Sequence, residues 1–232
     1  VMENFAHIYQ EVNPIKTIVQ VIASSPGELM GLKGRLINWV ARDIKKLIPS
    51  WEFAHITFKD ALDIGSQHHF QKPNIGLDDI AFLQYTGGTT GLSKGAILLH
   101  KNILSNVLQT DLWLEPGLKR KPIDQLVFLC ALPLYHIFAL TACALMGMRK
   151  GGFLILVPNP RDFDGFIKLL KKHPDINIFP GVNTLFNALM HKPEFASVKF
   201  PNILATIGGG MAMQKVVADQ WQKMTGAPIA EG

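Results

Sequence analysis

Hydrophobic residues from position 80 onward form short apolar runs separated by segments with helical spacing. The apolar runs predict strands at 80–83, 96–99, 126–132, 153–157, 177–179 and 203–207. Helical spacing, with Asp162 as an N-cap in one case, predicts helices at 100–113, 137–148, 163–172, 183–190 and 213–224. This alternation predicts an α/β layered sheet with much parallel pairing, in which ligands bind beyond the carboxyl ends of the strands.

The pattern before residue 80 is less regular. Alternating β-branched residues predict a strand at 15–22, and polar residues predict a loop at 66–79. Residues 33–48 predict a basic amphipathic helix that carries Trp39 and ends at Pro49. Two interpretations of this helix stay open. It packs its apolar side on the core as an ordinary surface helix, or it is a peripheral membrane-binding module on an anionic surface.

Composition narrows the class of protein. The chain has 232 residues, of which 48% are hydrophobic and 18% charged, so we expect one globular domain or a large piece of one. Its formal charge is only +5, and aromatic residues are not interleaved with basic ones, so nucleic acid is not an expected partner. Apolar runs are too short for a membrane span and no secretion signal is evident, which favours a cytoplasmic location. Cys130 and Cys143 are expected to be reduced core residues.

The segment Tyr85–Gly95, YTGGTTGLSKG, has the composition of a phosphate-binding loop. Its glycines let the backbone approach a ligand closely, while hydroxyl groups and Lys94 supply donors and a positive charge. A Walker P-loop is excluded because Lys94 is followed by Gly95 and a strand-like run instead of a helix. Two alternatives stay open: a plain Gly/Thr-rich turn, and a serine hydrolase with Ser93 in a Gly-x-Ser-x-Gly nucleophile elbow.

The whole segment also resembles the phosphate-binding signature of the acyl-adenylate-forming (AMP-binding) superfamily, which includes acyl-CoA synthetases, luciferases and peptide-synthetase adenylation domains. Phe82–Tyr85 is similar to the bacterial long-chain fatty-acyl-CoA synthetases in particular. Residues 133–139, PLYHIFA, resemble the second core signature of the family, in which a side chain at the place of His136 borders the acyl pocket. The loop 208–212, residues 181–186 and the terminal Glu231-Gly232 match further stretches of the family.

The resemblance implies roles for these residues. Lys94 and His136 are the implied catalytic residues, and the acyl-binding set is His136, Val182, Asn183, Gly208 and Gly209. The implied ATP-binding set is Thr86, Gly87, Gly88, Thr89, Thr90, Gly91, Ser93, Lys94, Gly209, Gly210, Met211, Glu231 and Gly232. The family's magnesium ligand is expected outside this chain, so no metal ligand is assigned within it.

The implied activity is ATP-dependent activation of a long-chain fatty acid, through an acyl-adenylate, to acyl-CoA. It requires ATP, Mg²⁺ and coenzyme A. The resemblance further implies that residues 1–232 are part of an N-terminal AMP-binding domain, with the rest of that domain and a mobile C-terminal domain lying outside the chain. The fragment alone is then expected to be inactive. Peripheral association with the inner face of the cell membrane is an open expectation.

Overall fold

The computed structural model describes residues 1–12, 18–86 and 93–232. Within these ranges the chain divides into two units, Val1–Asn74 and Ile75–Gly232. The predicted site residues Gly87, Gly88, Thr89, Thr90 and Gly91 lie outside the described residues, and only the backbone of Thr86 is described.

The described residues of the first unit form short helices and a pair of two-residue strands. Its elements are α1 (Ala6–Val12), β1 (Ile22–Ala23), α2 (Gly31–Trp39), β2 (Ile56–Thr57) and α3 (Phe58–Ser66). Strands β1 and β2 pair in parallel. The strand predicted at 15–22 is wrong over residues 18–21, which have no regular structure, while 15–17 lie outside the described residues. Val19 is 98% exposed, so the alternation of residues in this segment does not bury a side chain at this position.

The helix predicted at 33–48 is correct only in its first half. α2 ends at Trp39, a single π-helical turn follows at Val40–Ile44, and residues 45–48 are irregular. The N–H of Lys45 donates to the carbonyl oxygen of Val40 at 2.8 Å, and Lys46 then has a φ of 45°. The left-handed residue ends the helix three residues before Pro49.

An antiparallel hairpin of β3 (Ile80–Thr86) and β4 (Lys94–Leu99) opens the second unit. Thr86 pairs with Lys94, so the segment between them joins two adjacent strand ends. Both strand predictions in this region are confirmed. A nucleophile elbow requires a turn from a strand into a helix. Ser93 is followed by β4, so the serine hydrolase alternative is wrong.

A five-stranded, wholly parallel sheet forms the centre of the second unit. Its strands are β5 (Val127–Cys130), β6 (Phe153–Leu156), β7 (Ile178–Gly181), β8 (Ala205–Gly208) and β9 (Ile229–Glu231), in the order β6-β5-β7-β8-β9. The helices are α4 (His100–Arg120), α5 (Ile137–Ala139), α6 (Met146–Lys150), α7 (Phe163–Lys172), α8 (Asn183–Met190) and α9 (Lys215–Thr225); a π-helical stretch, Leu140–Leu145, joins α5 to α6. The predicted α/β fold with parallel pairing is confirmed. Strand β9 has no counterpart in the prediction because it is only three residues long.

Helix α4 is longer than predicted. The prediction ended the helix at Trp113, before Pro116 and Gly117, yet the helix continues to Arg120. Leu114 is buried, and Leu118, four residues later on the same face, packs against the same cluster of core residues. The packing of these two leucines on the core explains why the helix tolerates a proline that removes one backbone hydrogen bond.

The sheet separates two hydrophobic clusters. Val127 and Leu129 of β5 belong to one cluster, and Phe128 between them belongs to the other, as the two-residue period of a strand requires. The first cluster contains Trp221, which is 1% exposed and contacts Phe186 with ring centroids 4.7 Å apart. Because both faces of the sheet are buried, the strands are held in place and the loops at their carboxyl ends start from defined positions.

Both cysteines, Cys130 and Cys143, are buried free thiols, as expected. A hydrogen bond to Cys130, together with burial, raises the pKa of the Cys143 thiol. Among the described residues, no helix is both long and apolar enough to cross a membrane.

Candidate active site

The base of the glycine-rich hairpin is tied to the turn that carries His136. The side-chain Nε2 of Gln84, in β3, donates to the carbonyl oxygen of Tyr135 at 3.2 Å. Gln84 lies two residues before Thr86, where the described part of the strand ends. This bond therefore holds the start of the predicted phosphate loop next to the 133–139 signature. Ser93 and Lys94 begin the returning side of the hairpin.

His136 has a defined structural role at the start of α5. Its Nδ1 accepts a hydrogen bond from the N–H of Phe138 at 3.3 Å, so the side chain caps the helix. Because Nδ1 accepts, the neutral ring carries its proton on Nε2. The side chain is exposed, so this Nε2–H is a donor available to a ligand.

The glycine-rich loop after β8 packs directly on the same segment. A Cβ at Gly209 would lie 2.8 Å from the ring of Phe138, so the loop approaches the aromatic ring more closely than any other residue type allows. The next residue, Gly210, has a φ of 80°, a left-handed conformation that glycine adopts more easily than other residues. The N–H of Gly209 also donates to the carbonyl oxygen of Gly181, at the end of β7, at 3.2 Å.

Residues Glu231 and Gly232 lie beside this loop. Glu231 pairs with Gly208 in the parallel ladder of β8 and β9, and the N–H of Gly232 donates to the carbonyl oxygen of Gly208 at 2.9 Å. The carboxyl ends of β7, β8 and β9 therefore meet at one edge of the sheet, which is where α/β folds bind ligands. Met211 follows the loop and is 60% exposed.

A cavity of about 600 Å³ opens between α4, the α5 segment and the ends of β8 and β9. Its wall is mostly apolar and includes Phe138, Ala142 and Ile207. Glu231 and Gly232 form part of the same wall. A cavity of this size that combines an apolar wall with a few polar groups is typical of a small-molecule site.

One wall of the cavity consists of residues that were not predicted from the sequence. Helix α4 contributes Asn106, Gln109, Thr110 and Trp113, which are spaced i, i+3, i+4 and i+7 and so share one face. This spacing is a signal that the sequence contains. It was missed because a polar face on a helix is ordinarily assigned to solvent.

The described contacts of Val182 and Asn183, both predicted to bind the acyl chain, are with other residues of the protein. Asn183 is 7% exposed, and its Oδ1 accepts the N–H of Gln214 at 3.0 Å. Val182 lies 3.6 Å from the position that a Cβ on Gly210 would occupy. Val182 thus lies beside the glycine-rich loop, and Asn183 bonds to Gln214, the residue just before α9. A direct role in acyl binding stays a prediction.

An ionic cluster fixes α4 against α6. The Asp111 carboxylate accepts from Arg149 Nε at 2.8 Å and pairs with the Lys150 ammonium group. The hydrogen bond from Lys150, and then that from Arg149, hold the pKa of the Asp111 carboxyl below its ordinary value of 3.8, against the effect of its partial burial. The cluster holds in place the helix that forms one wall of the cavity.

The sequence of the chain was compared with those of known protein families. The model for the family described as AMP-binding enzyme matches residues 25–232. The chain belongs to the AMP-binding enzyme family. This confirms the resemblance carried by residues 85–95, 133–139 and 208–212.

Individual members of the AMP-binding family show the same similarity. The chain is 42% identical to the long-chain-fatty-acid–CoA ligase of Haemophilus influenzae and 43% identical to that of Escherichia coli O157:H7, over 234 residues in each case. Each alignment covers 100% of this chain and 41% of the relative, so the chain spans about two fifths of the length of these relatives.

A solved structure of a fatty acyl-adenylate ligase from L. pneumophila, in complex with acyl adenylate and pyrophosphate, has a TM-score of 0.63 to this chain. It is 20% identical and covers 95% of this chain and 35% of that one. At this identity the likeness shows a shared fold alone.

The described residues contain no group of three His, Cys, Asp or Glu side chains that could hold a metal ion. Among the predicted ATP-binding residues, Glu231 and Gly232 contact Gly208 at the carboxyl ends of β8 and β9, and Gly209 and Gly210 follow Gly208 directly in the chain. Through Gln84 and Phe138, the described ends of the hairpin and the His136 turn connect to that same edge.

Proposed function

We propose that the full-length protein activates a long-chain fatty acid in two steps. The carboxylate oxygen of the acid attacks the α-phosphorus of ATP and pyrophosphate leaves, which gives an acyl-adenylate. The thiol sulfur of coenzyme A then attacks the acyl carbon, AMP leaves, and the thiol proton is released. Membership of the AMP-binding family and similarity to long-chain-fatty-acid–CoA ligases support this assignment.

One geometric observation supports the location of the reaction: three segments with separate predicted roles are joined by direct contacts. Gln84 bonds to the carbonyl of Tyr135, Phe138 packs on Gly209, and Gly208 bonds to Gly232. We assign nucleotide binding to the glycine-rich hairpin, the 208–211 loop and residues 231–232, and the acyl chain to the adjoining cavity.

The first step concentrates negative charge on phosphoryl oxygens. Donors that are already in position stabilise such charge without having to reorganise, and this is a large part of catalysis in phosphoryl transfer. We propose that Lys94, Thr86, Thr89, Thr90, Ser93 and the backbone N–H groups of Gly87, Gly88 and Gly91 act in this way. We propose that His136, with a proton on Nε2, donates a hydrogen bond to the carboxylate oxygen of the acid or to the acyl-phosphate oxygen.

Magnesium is proposed as the counter-ion of the nucleotide phosphates, and when bound it neutralises part of their charge. We assign it no ligand within this chain. We also propose that residues 1–232 are part of a larger N-terminal domain that is completed, together with a C-terminal domain, by chain outside this sequence. The proposed location is the cytoplasm, with peripheral association with the inner face of the cell membrane.

Substitution of Lys94 tests the proposed function. In the full-length protein, Lys94→Ala should lower fatty-acid-dependent exchange between ATP and pyrophosphate by a factor of about 10² to 10³, the usual effect of removing one such donor. Lys223→Ala, which removes an exposed lysine from α9, is the matched control and should leave the rate unchanged. Equal exchange by the two variants would refute the assignment of Lys94.

A further inference from the structure

Hydrogen bonds within its own segment hold His136 in place. Its N–H donates to the carbonyl oxygen of Pro133 at 2.9 Å, and its own carbonyl oxygen accepts from the N–H of Leu140 at 2.9 Å. The side-chain Nδ1 accepts from the N–H of Phe138 at 3.3 Å. These bonds fix the shape of the segment 133–140, but they do not fix where the segment lies relative to other elements.

Gln84 supplies a bond to this segment from a different element. Its Nε2 donates to the carbonyl oxygen of Tyr135 at 3.2 Å, and the two residues are 51 positions apart in the chain. The carbonyl of Tyr135 and the N–H of His136 belong to one planar peptide group. This peptide group is therefore held on both sides, by Gln84 through its oxygen and by Pro133 through its N–H.

The base of the hairpin that carries Gln84 is itself well fixed. Gln84 pairs with Ala96, and Tyr85 pairs with Gly95, in the antiparallel ladder of β3 and β4. A Cβ on Gly95 would lie 3.3 Å from the ring of Tyr85, so the ring packs across the ladder on this glycine. Lys94 is two residues from Ala96, which is about 7 Å along the strand. A shift of the His136 segment relative to Gln84 is therefore also a shift relative to Lys94.

We propose that Gln84 is a positioning residue, which holds the Tyr135–His136 peptide against the glycine-rich hairpin and so sets where the His136 imidazole lies. Gln84 acts through His136 and does not itself contact the substrates. The inference rests on the proposed function, because it concerns how the fatty-acid carboxylate, assigned to His136, is aligned with the phosphates, assigned to the hairpin. A misplacement of about 1 Å can lower the rate of such a reaction by about 10²-fold, so one hydrogen bond between the two elements is enough to affect catalysis.

Fatty-acid-dependent pyrophosphate exchange by the full-length protein tests this role. Gln84→Met keeps the length of the side chain but cannot donate, so kcat of the exchange should fall by about 10- to 100-fold. The KM values for ATP and for the acid should change by less than about threefold, because the groups proposed to bind them are still present.

The matched control is Gln125→Met. It removes a bond of the same kind, from Nε2 of Gln125 to the carbonyl oxygen of Gly151 at 3.1 Å, at the amino ends of β5 and β6. Equal kcat values in the two variants overturn the inference. Both bonds are exposed, so each variant should lower Tm by about 2 °C or less. A much larger loss of Tm in Gln84→Met would assign its bond to the stability of the fold and would also overturn the inference.

A double-mutant cycle tests whether Gln84 acts through His136. In a His136→Ala background, Gln84→Met should change kcat by less than about threefold, because the group that it positions is already absent. A further loss as large as the loss in wild type would show that the two residues act independently, against the inference.

Amide hydrogen exchange of the full-length protein, measured without substrates, separates this inference from the proposed function. The N–H groups of His136 and Phe138 should exchange with solvent about fivefold faster in Gln84→Met than in wild type or Gln125→Met, because one bond that holds their segment is lost. Unchanged exchange at these two amides overturns the inference. A low rate in Lys94→Ala with a wild-type kcat in Gln84→Met would refute the positioning role and leave the proposed function standing. The reverse result would refute the assignment of Lys94 and support the positioning role.

Discussion

At the scale of single residues, His136 combines two roles that a substitution can separate. Its Nδ1 caps α5, and its Nε2–H is the group proposed to meet the acid. His136→Ala removes both, whereas His136→Asn restores a good N-cap. We expect both variants to lower the adenylation rate by about 10²-fold or more while ATP affinity changes little. Single-turnover kinetics together with ATP titration would measure this.

Recovery of the rate in His136→Asn would contradict the catalytic role, because it would show that the cap alone matters. His191→Ala is a suitable control. This histidine is exposed, and its Nδ1 lies 2.7 Å from a backbone group as well, in this case the carbonyl oxygen of Asn187.

Ala142 tests the assignment of the cavity to the acyl chain. It lies in the cavity wall and is 8% exposed, so a larger side chain at this position must project into the cavity or displace its wall. Ala142→Leu should raise the KM for a sixteen-carbon acid by about tenfold, a typical penalty for overpacking, and change the KM for an eight-carbon acid much less. An equal effect on both acids would indicate a general structural defect.

At the scale of elements, the hydrophobic pattern was sufficient to predict most helices and strands of the second unit. Asp162 caps α7 as predicted, with the N–H of Gly165 donating to its Oδ1 at 3.0 Å, and α8 has the predicted bounds. The pattern failed where tertiary contacts outweigh local preference. Leu114 and Leu118 extend α4 through a proline, and a π-helical turn ends the 31–44 helix early. The alternation at 15–22 resembled a strand although no sheet face covers Val19.

The site was predictable in part for the same reason. Glycines at 208–210 and the turn at 133–139 carry local signals, so their proximity to strand ends could be expected. The spacing of Asn106, Gln109, Thr110 and Trp113 shows that they share one face of α4. The sequence does not show whether that face meets solvent or a cavity, because this depends on how the helix packs. Gln84 likewise gives no sign in the sequence that it bonds to the carbonyl of Tyr135.

The Asp111 cluster gives a prediction about pH at this scale. The pKa of Asp111 is lowered in the folded state, so its contribution to stability is present above its ordinary value of 3.8 and is lost as the pH falls through the folded-state value. Asp111→Asn should lower the free energy of unfolding by about 1 kcal/mol at pH 7. The difference from wild type should shrink below pH 3.8. Urea denaturation at several pH values measures it.

Asp219→Asn is the matched control, because Asp219 pairs with Lys215 on α9 and its side chain is 61% exposed. An exposed pair of this kind contributes little, so its loss should cost a few tenths of a kcal/mol at most. A difference for Asp111→Asn that does not vary with pH would show that shape, and not charge, explains its effect.

At the scale of the whole molecule, the two units differ in how their side chains are buried. Both hydrophobic clusters consist of residues of the second unit. Among the described residues of the first unit, the buried ones are small or polar: Glu3, Ala6, Ala23, Ser25, Gly27 and Gly34. Local stability follows buried apolar contacts, so the first unit should open at a lower free energy than the second.

Native-state hydrogen exchange measures this difference directly. Amides of α2 and α3 should exchange through openings that cost less than global unfolding, while amides of β5 and β7 should exchange only when the second unit unfolds. Ile178→Val, at a fully buried position of β7, should cost about 1 kcal/mol and accelerate exchange in β5 and β7 about fivefold. The same substitution should leave α3 unaffected if the units open separately. Equal acceleration in α3 and β7 would show that the two units unfold as one cooperative body, and the burial argument would then fail.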